Sequence, residues 1–186
     1  MCGIIGYTGP RDCVPILLEG LRRLEYRGYD SAGLALVKDS GLEVLKDVGK
    51  IDALQTLVDE LHPSACFGIA HTRWATHGEP NTVNAHPHVD CTGKIALVHN
   101  GIIENYSTLK TWLRGEGVAF ASQTDTEVIS NLIGYLYANH DVTNDCGNQN
   151  QFEWAVQQAL QRLHGTFGVA IVCSDFPGLL IGAKRG

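Results

Sequence analysis

Charge is scarce in this 186-residue chain: Asp, Glu, Lys and Arg supply 18% of it, where a globular domain ordinarily carries about 25%. With 44% hydrophobic residues, the composition excludes a disordered polymer and fits a packed globule. Basic charge is scarcer still. Fourteen Lys and Arg against twenty Asp and Glu leave a net charge of -6, and no basic cluster offsets it, so nucleic acid is not an expected partner. Long apolar runs are missing too. The longest, such as residues 95–98 and 169–173, fall far short of the roughly 20 residues of a membrane span, and no membrane partner is expected. The amino terminus, MCGIIGYTGPRDC, lacks the basic segment and apolar stretch of a secretory signal. Paired cysteine spacing is absent as well. Cys2, Cys13, Cys66, Cys91, Cys146 and Cys173 are scattered, and they read as thiols in a reducing, cytoplasmic compartment. No repeat, low-complexity tract or linker divides the chain, so residues 1–186 are expected to form one domain, burying roughly 70% of the unfolded surface.

What is present is a succession of short buried strands and amphipathic helices. Residues 3–8 read as a strand; Asp12 then offers an N-cap before Pro15 and the helical spacing Leu17, Leu21, Leu24. Alternating runs at 34–37 and 42–48 flank Asp39-Ser40-Gly41, which reads as a hairpin turn. Ile51, Leu54, Val58 and Leu61 write a second helix that must stop before Pro63. Residues 67–70 and 95–98 are predicted strands. The stretch 73–93 between them is rich in His, Asn and Pro, long and polar enough to suspect of function. Further helices are predicted over 106–115, 126–138 and 152–163, the last two joined by the irregular HDVTNDCGNQN, and a closing hairpin over 167–173 and 179–183. Strands that come in hairpin pairs flanked by helices predict an α+β class with antiparallel sheets.

Cys2 carries the most chemistry. Removal of Met1, which a small second residue permits, would leave a thiol and a free α-amine on one residue, titrating ordinarily near about 8.5 and about 7.7 to 8.0, and so a nucleophile beside its own base. The plain alternative is a small apolar residue opening a strand. Arg73 offers a planar fork of donors suited to a carboxylate, against the alternative of an exposed loop arginine. Asp125 lies in Thr124-Asp-Thr-Glu127, which reads as a capping box and also places a carboxylate at a helix start. Asn100 and Gly101 follow a predicted strand, either as a tight turn or as an amide and a backbone N–H aimed at a developing oxyanion. Three weaker signals compete. His86, His88 and Cys91, with His71, His77 and His99, hint at zinc but lack a second Cys pair. Gly3, Gly6 and Gly9 miss the dinucleotide GxGxxG spacing, and Asn105-Tyr-Ser107 fits a glycosylation rule that applies only to secreted chains.

Longer strings bear on all of these. MCGIIGY at the start, EYRGYDSAG at 25–33, HTRWATHGEPNTVNAHPH at 71–88, VHNGIIENY at 98–106 and TDTEV at 124–128 resemble the class II glutamine amidotransferases over essentially the whole chain. The resemblance implies an N-terminal-nucleophile hydrolase fold, a four-layer αββα sandwich of two antiparallel sheets with helices on both outer faces. It implies L-glutamine as substrate, Cys2 as nucleophile after processing, and Asn100 with Gly101 as oxyanion donors. Arg73 would take the α-carboxylate and Asp125 the α-ammonium group. Trp74, Thr76 and His77 would belong to a loop that closes over glutamine, the tryptophan also gating ammonia. His86 would be a further loop residue on the substrate side, and Arg27 and Gly28 would support the nucleophile's strand. No cofactor or metal is implied. EYRGYDSAG and RWATHGEP resemble the branch whose ammonia passes to a sugar-phosphate isomerase module acting on fructose 6-phosphate, a module that these residues do not contain. LLIGAKRG resembles a strand leading into a further segment, so residues 1–186 are expected to be an incomplete amidotransferase type 2 domain, with a homodimer admitted for a longer form. Two alternatives stay open: a silent glutamine-binding or structural module, and the glutaminase domain of another class II amidotransferase.

Overall fold

The computed structural model describes residues 2–74, 78–140 and 150–186, and at Arg27 the backbone alone. Asp12 caps as its position predicts: its carboxylate accepts from Val14 N at 3.1 Å and starts α1 (Cys13–Arg22). A 3-10 turn over Glu25–Arg27 follows, and α2 (Ile51–Leu61) ends at His62, which takes a left-handed conformation just before Pro63. Ile51, Leu54 and Val58 are buried as predicted, whereas Leu61 lies on the exposed side of its helix.

The strands form two four-stranded antiparallel sheets. β1 (Gly3–Thr8), β2 (Ser31–Lys38), β3 (Gly41–Val48) and β4 (Phe67–Arg73) take the order β1-β4-β2-β3. β5 (His88–Val89), β6 (Ile95–Ile103), β7 (Gly165–Cys173) and β8 (Leu180–Arg185) are paired in sequence order. The remaining helices are α3 (Tyr106–Gly115), α4 (Asp125–Ala138) and α5 (Gln151–Arg162). Because successive strand residues point to opposite faces, one alternation serves two cores. Leu34 and Leu36 pack with Leu17, Leu21 and Leu54 of the helices outside, while Ala35 and Val37 face Ala96, Val98 and Val172 of the other sheet. On β6, Ile95 and Leu97 pack outward against Val128 and Leu132 of α4. The result is helix, sheet, sheet, helix, and each fully buried Leu or Ile contributes about 1.5–3 kcal/mol.

The same period carries the site. Phe67, Ile69, His71 and Arg73 share the inner face of β4, and Ala96, Val98 and Asn100 that of β6, so the space between the sheets is apolar at one end and polar at the other.

Several sequence expectations need correction. Residues 100 and 101 do not follow a strand: β6 continues to Ile103, with Asn100 opposite Gly168 and Gly101 opposite Phe167, because β7 supplies a partner along that whole length. The tight-turn reading of Asn100-Gly101 falls with it. Thr124 does cap α4, its Oγ1 accepting from Glu127 N at 3.3 Å, but the box is not closed. The Glu127 carboxylate instead accepts from Ala121 N, Ser122 N and Ser122 Oγ at 2.7 to 2.8 Å. A closed capping box occurs at Asn150 and Glu153 of α5. The hairpin expectation holds for β2–β3 and β7–β8, while β1 pairs with the distant β4. The HDVTNDCGNQN segment falls largely outside the described residues.

Candidate active site

At the polar end of the interlayer space, Cys2 stands just ahead of β1, held in line by Gly3 N donating to Thr72 Oγ1 at 3.1 Å. Its sulfur lies against one backbone unit of Trp74: Trp74 N donates to Sγ at 3.1 Å, and the thiol reaches Trp74 O at 3.6 Å. The Asn100 Nδ2 amide donates to the Cys2 carbonyl at 3.3 Å, and His71 Nε2 lies 2.7 Å from Asn100 Oδ1. A cavity of about 50 Å³ opens between Cys2, Arg73, Trp74, His86, Gly101 and Asp125, room for one or two water-sized groups.

Gly101 borders this cavity with φ +132°, a conformation L side chains rarely adopt, and a Cβ there would run into Thr166 O of β7. A side chain at this position would strain the strand and push it away from β7. Gly33 of β2 is required by a different contact, since a Cβ would strike the His86 carbonyl that lies across it.

Arg73 is no exposed loop residue. It closes β4, is 3% exposed, and its guanidinium lies 3.7 Å from Asp30 Oδ1 with long contacts of 3.4 and 3.5 Å to Gly78 O and Glu79 O. Asp125, 4% exposed at the start of α4, accepts from Ile103 N at 2.9 Å through Oδ2 and lies 3.9 Å from His99 Nδ1 through Oδ1. The helix start thus holds the end of β6 in place, and the positive end of the helix dipole favours the carboxylate.

Behind these residues lies a floor of imidazoles and hydroxyls, of which the family resemblance had drawn only His86 toward the substrate. Thr126 Oγ1 is 2.9 Å from both His86 Nε2 and His99 Nδ1, and His88 Nε2 is 3.1 Å from Thr124 Oγ1. The His86 ring stacks near His71, centroids 4.3 Å apart, and meets His88 edge-on at 4.9 Å. Burial pushes the His71 pKa down to about 4, and burial followed by the neighbouring imidazoles and cations holds His86 and His88 well below the ordinary histidine range. Burial and crowding of these three rings disfavour the imidazolium form of each. The imidazoles meet hydroxyls, Cys91 is exposed in the β5–β6 turn, and among the described residues no set of three or more His, Cys, Asp or Glu is arranged to hold a metal ion.

Of the remaining expectations, Trp74 is 55% exposed and its ring covers Gly28, whose φ is +71°. Thr76, His77 and the Arg27 side chain lie outside the described residues. Burial pushes the thiols of Cys13 and Cys173 up to about 11, so they are structural. Among the described residues no helix is long and apolar enough to cross a membrane.

Comparison with known proteins bears directly on this constellation. A family described as the glutamine amidotransferase domain matches residues 71–183. The chain belongs to that family. Within this glutamine amidotransferase family, the isomerizing glutamine–fructose-6-phosphate aminotransferases of Caldanaerobacter subterraneus subsp. tengcongensis and Bordetella pertussis are 46% and 50% identical over 185 and 190 residues. Each alignment covers 100% of this chain, which spans 29% of either relative. A solved glutamine phosphoribosylpyrophosphate amidotransferase from B. subtilis shares the fold of this amidotransferase domain at TM-score 0.77 and 24% identity, covering 100% of this chain and 37% of that one. The fold is the N-terminal-nucleophile hydrolase sandwich of two antiparallel sheets between helices.

Proposed function

We propose that this chain is the glutamine-hydrolysing part of a longer cytoplasmic enzyme that transfers the released ammonia to fructose 6-phosphate, forming glucosamine 6-phosphate for amino-sugar synthesis. The observation that carries the glutaminase reading is the convergence of Cys2, Arg73, Gly101 and Asp125 on one cavity, with the Asn100 amide bonded to the Cys2 backbone. The sugar-phosphate acceptor is supported by the names and the identity of the aminotransferase relatives.

In this reading Met1 is removed, and the freed α-amine of Cys2 takes the thiol proton, directly or through a water. The thiolate attacks the side-chain carboxamide carbon of glutamine; a C–S bond forms and the carbonyl oxygen takes up negative charge. Asn100 Nδ2 and Gly101 N–H receive that oxyanion, and one such donor is typically worth about 2.7–4 kcal/mol of barrier. The C–N bond then breaks as the ammonium of Cys2 returns its proton to departing ammonia. Water adds to the γ-glutamyl thioester, and glutamate leaves with the thiol restored. Arg73 would hold the α-carboxylate and Asp125 the α-ammonium group, opposite charges suited to a zwitterionic amino acid. Trp74, Thr76 and His77 would cover the substrate, His86 would face it from the floor, and Arg27 and Gly28 would stand behind the Cys2 strand.

The test is glutamate formation from glutamine by the full-length protein, with intact mass establishing whether Met1 has been removed. Processed protein is expected to turn over, and protein that retains Met1, with an amide where the amine must be, to be inactive. No hydrolysis by processed, folded protein would reject the glutaminase reading; full turnover by uniformly methionine-initiated protein would reject the amine as base.

A further inference from the structure

We propose that His71 is a positioning residue for the oxyanion donor: its ring N–H locks the Asn100 side chain so that the amide nitrogen, and not the oxygen, faces Cys2. This rests on the glutaminase reading above, in which Asn100 Nδ2 receives the developing charge.

The hydrogen-bond chemistry permits one assignment. The Cys2 carbonyl can only accept, so the edge of Asn100 that meets it at 3.3 Å must be the NH2 group. The opposite edge is then Oδ1, which also can only accept, and it lies 2.7 Å from His71 Nε2. Nε2 must therefore carry the hydrogen, and the tautomer of His71 is fixed by its partner. A flipped Asn100 would set NH2 against the His71 N–H and Oδ1 against the Cys2 carbonyl, donor to donor and acceptor to acceptor. It would also turn an oxygen toward the place where negative charge must collect. The Cys2 carbonyl sets which edge of the amide faces it, and the shorter contact, from the His71 N–H to Oδ1, then holds the side chain in that orientation.

The scaffold suits this task. His71 is fully buried on β4, with Ile4 of β1 opposite it on one side and Gly33 of β2 on the other, so its ring is carried by a strand paired along both edges. Asn100 belongs to the other sheet, and the bond therefore ties the two sheets together beneath Cys2. Burial, with His99 and Arg73 nearby, disfavours the imidazolium, so the donor neither gains nor loses its role across the working pH range. A hydrogen bond accepted at Oδ1 also polarises the amide and strengthens donation from Nδ2.

The experiment measures glutamine hydrolysis by the full-length protein and its His71→Leu, His71→Gln, Asn100→Ala and His71→Leu/Asn100→Ala variants. His71→Leu is expected to lower kcat about 10- to 100-fold, part of what loss of one oxyanion donor costs, with KM changed less than about threefold. His71→Gln, which keeps an N–H donor, is expected to recover most of the loss with an unchanged pH profile. In the Asn100→Ala background His71→Leu should add less than about threefold, because the group it positions is gone. Equal losses in both backgrounds, or a glutamine variant no better than leucine, would overturn the proposal. A second measurement needs no stable variant at Leu: nitrogen-15 spectra of histidine-labelled wild-type protein should show the His71 imidazole as the neutral Nε2–H tautomer, and the Nδ1–H form would overturn it. A processed wild-type protein that is folded yet inert would instead reject the glutaminase reading itself.

Discussion

The floor and the rim of the cavity are built by opposite means. On the floor, His71, His86, His88, His99, Thr124 and Thr126 are buried, and side chains meet side chains: a hydroxyl between two imidazoles, an imidazole on an amide. On the rim, Trp74 is 55% exposed, and what holds the Cys2 sulfur is the Trp74 backbone rather than its ring. A buried polar network is stiff because every broken bond strands a group that water cannot reach. Backbone restraint leaves the rim's side chains free for chemistry. The floor should therefore govern stability and orientation, and the rim turnover, with Arg73 and Asp125 at the boundary between them.

The largest effect that would break or uphold this division is at Cys2. Cys2→Ala is expected to abolish glutamine hydrolysis while leaving the thermal unfolding midpoint nearly unchanged, because the sulfur is half-buried and, among the described residues, its hydrogen bonds run to a single backbone unit. Residual ammonia release at an appreciable rate would reject Cys2 as nucleophile. Next comes Arg73→Lys, which keeps the charge and loses the fork; KM for glutamine is expected to rise about tenfold or more. A wild-type KM would remove Arg73 from substrate recognition.

Thr126→Val tests the floor from the other direction. The swap keeps shape but removes the hydroxyl shared by His86 and His99, and stranding buried imidazole nitrogens should cost about 2–3 kcal/mol of stability. Chemical denaturation reads this directly, and a change below about 0.5 kcal/mol would show that the network carries no load.

Acid is a finer probe. A histidine held below its ordinary pKa in the folded state takes up its proton more readily when unfolded, so its contribution is complete above about pH 6.5 and is lost as pH falls toward the folded value. For His71 that window runs down to about 4, with His86 and His88 acting in the same direction. Each such group adds a slope of up to about 1.4 kcal/mol per pH unit. Stability should fall steeply between about pH 6.5 and 4, and His71→Gln should make the fall shallower while Cys2→Ala leaves it alone. A flat stability profile across that range would mean that these rings are hydrated or charged.

How much of this was legible beforehand depends on whether the deciding contacts are near in sequence. The α1 cap at Asp12, the β2–β3 hairpin and the alternation of Leu34, Ala35, Leu36 and Val37 are local, and each could be read from neighbouring residues. The boundary of β6 could not, because β7, about 70 residues on in the chain, decides that Asn100 and Gly101 stay in a strand. The Glu127 carboxylate likewise prefers the 121–122 backbone brought beside it to the local capping pattern. Family strings singled out Cys2, Arg73, Asn100, Gly101 and Asp125, yet His71 and Thr126 went unassigned to the site. The signal for His71 was present: it continues the Phe67, Ile69, Arg73 face of β4, and a histidine buried on the inner face of a strand needs a partner. What sequence alone lacks is that the partner comes from the opposite sheet.

The smallest expected effect sharpens the comparison most. Trp74→Ala removes the largest exposed apolar side chain of the cavity rim, but the Trp74 N and O that touch the Cys2 sulfur belong to the main chain and remain after the change. More than half of the residue's surface already faces solvent, so loss of the ring should alter stability by less than about 0.5 kcal/mol, far less than Thr126→Val on the floor. If the ring covers bound glutamine, KM should rise a few-fold in the same variant, a change that stability cannot explain. Denaturation and glutamine kinetics on Trp74→Ala and Thr126→Val side by side therefore separate rim from floor. A Trp74→Ala protein destabilised as much as Thr126→Val would show that the ring over Gly28 braces the fold, and that rim and floor are one structural unit.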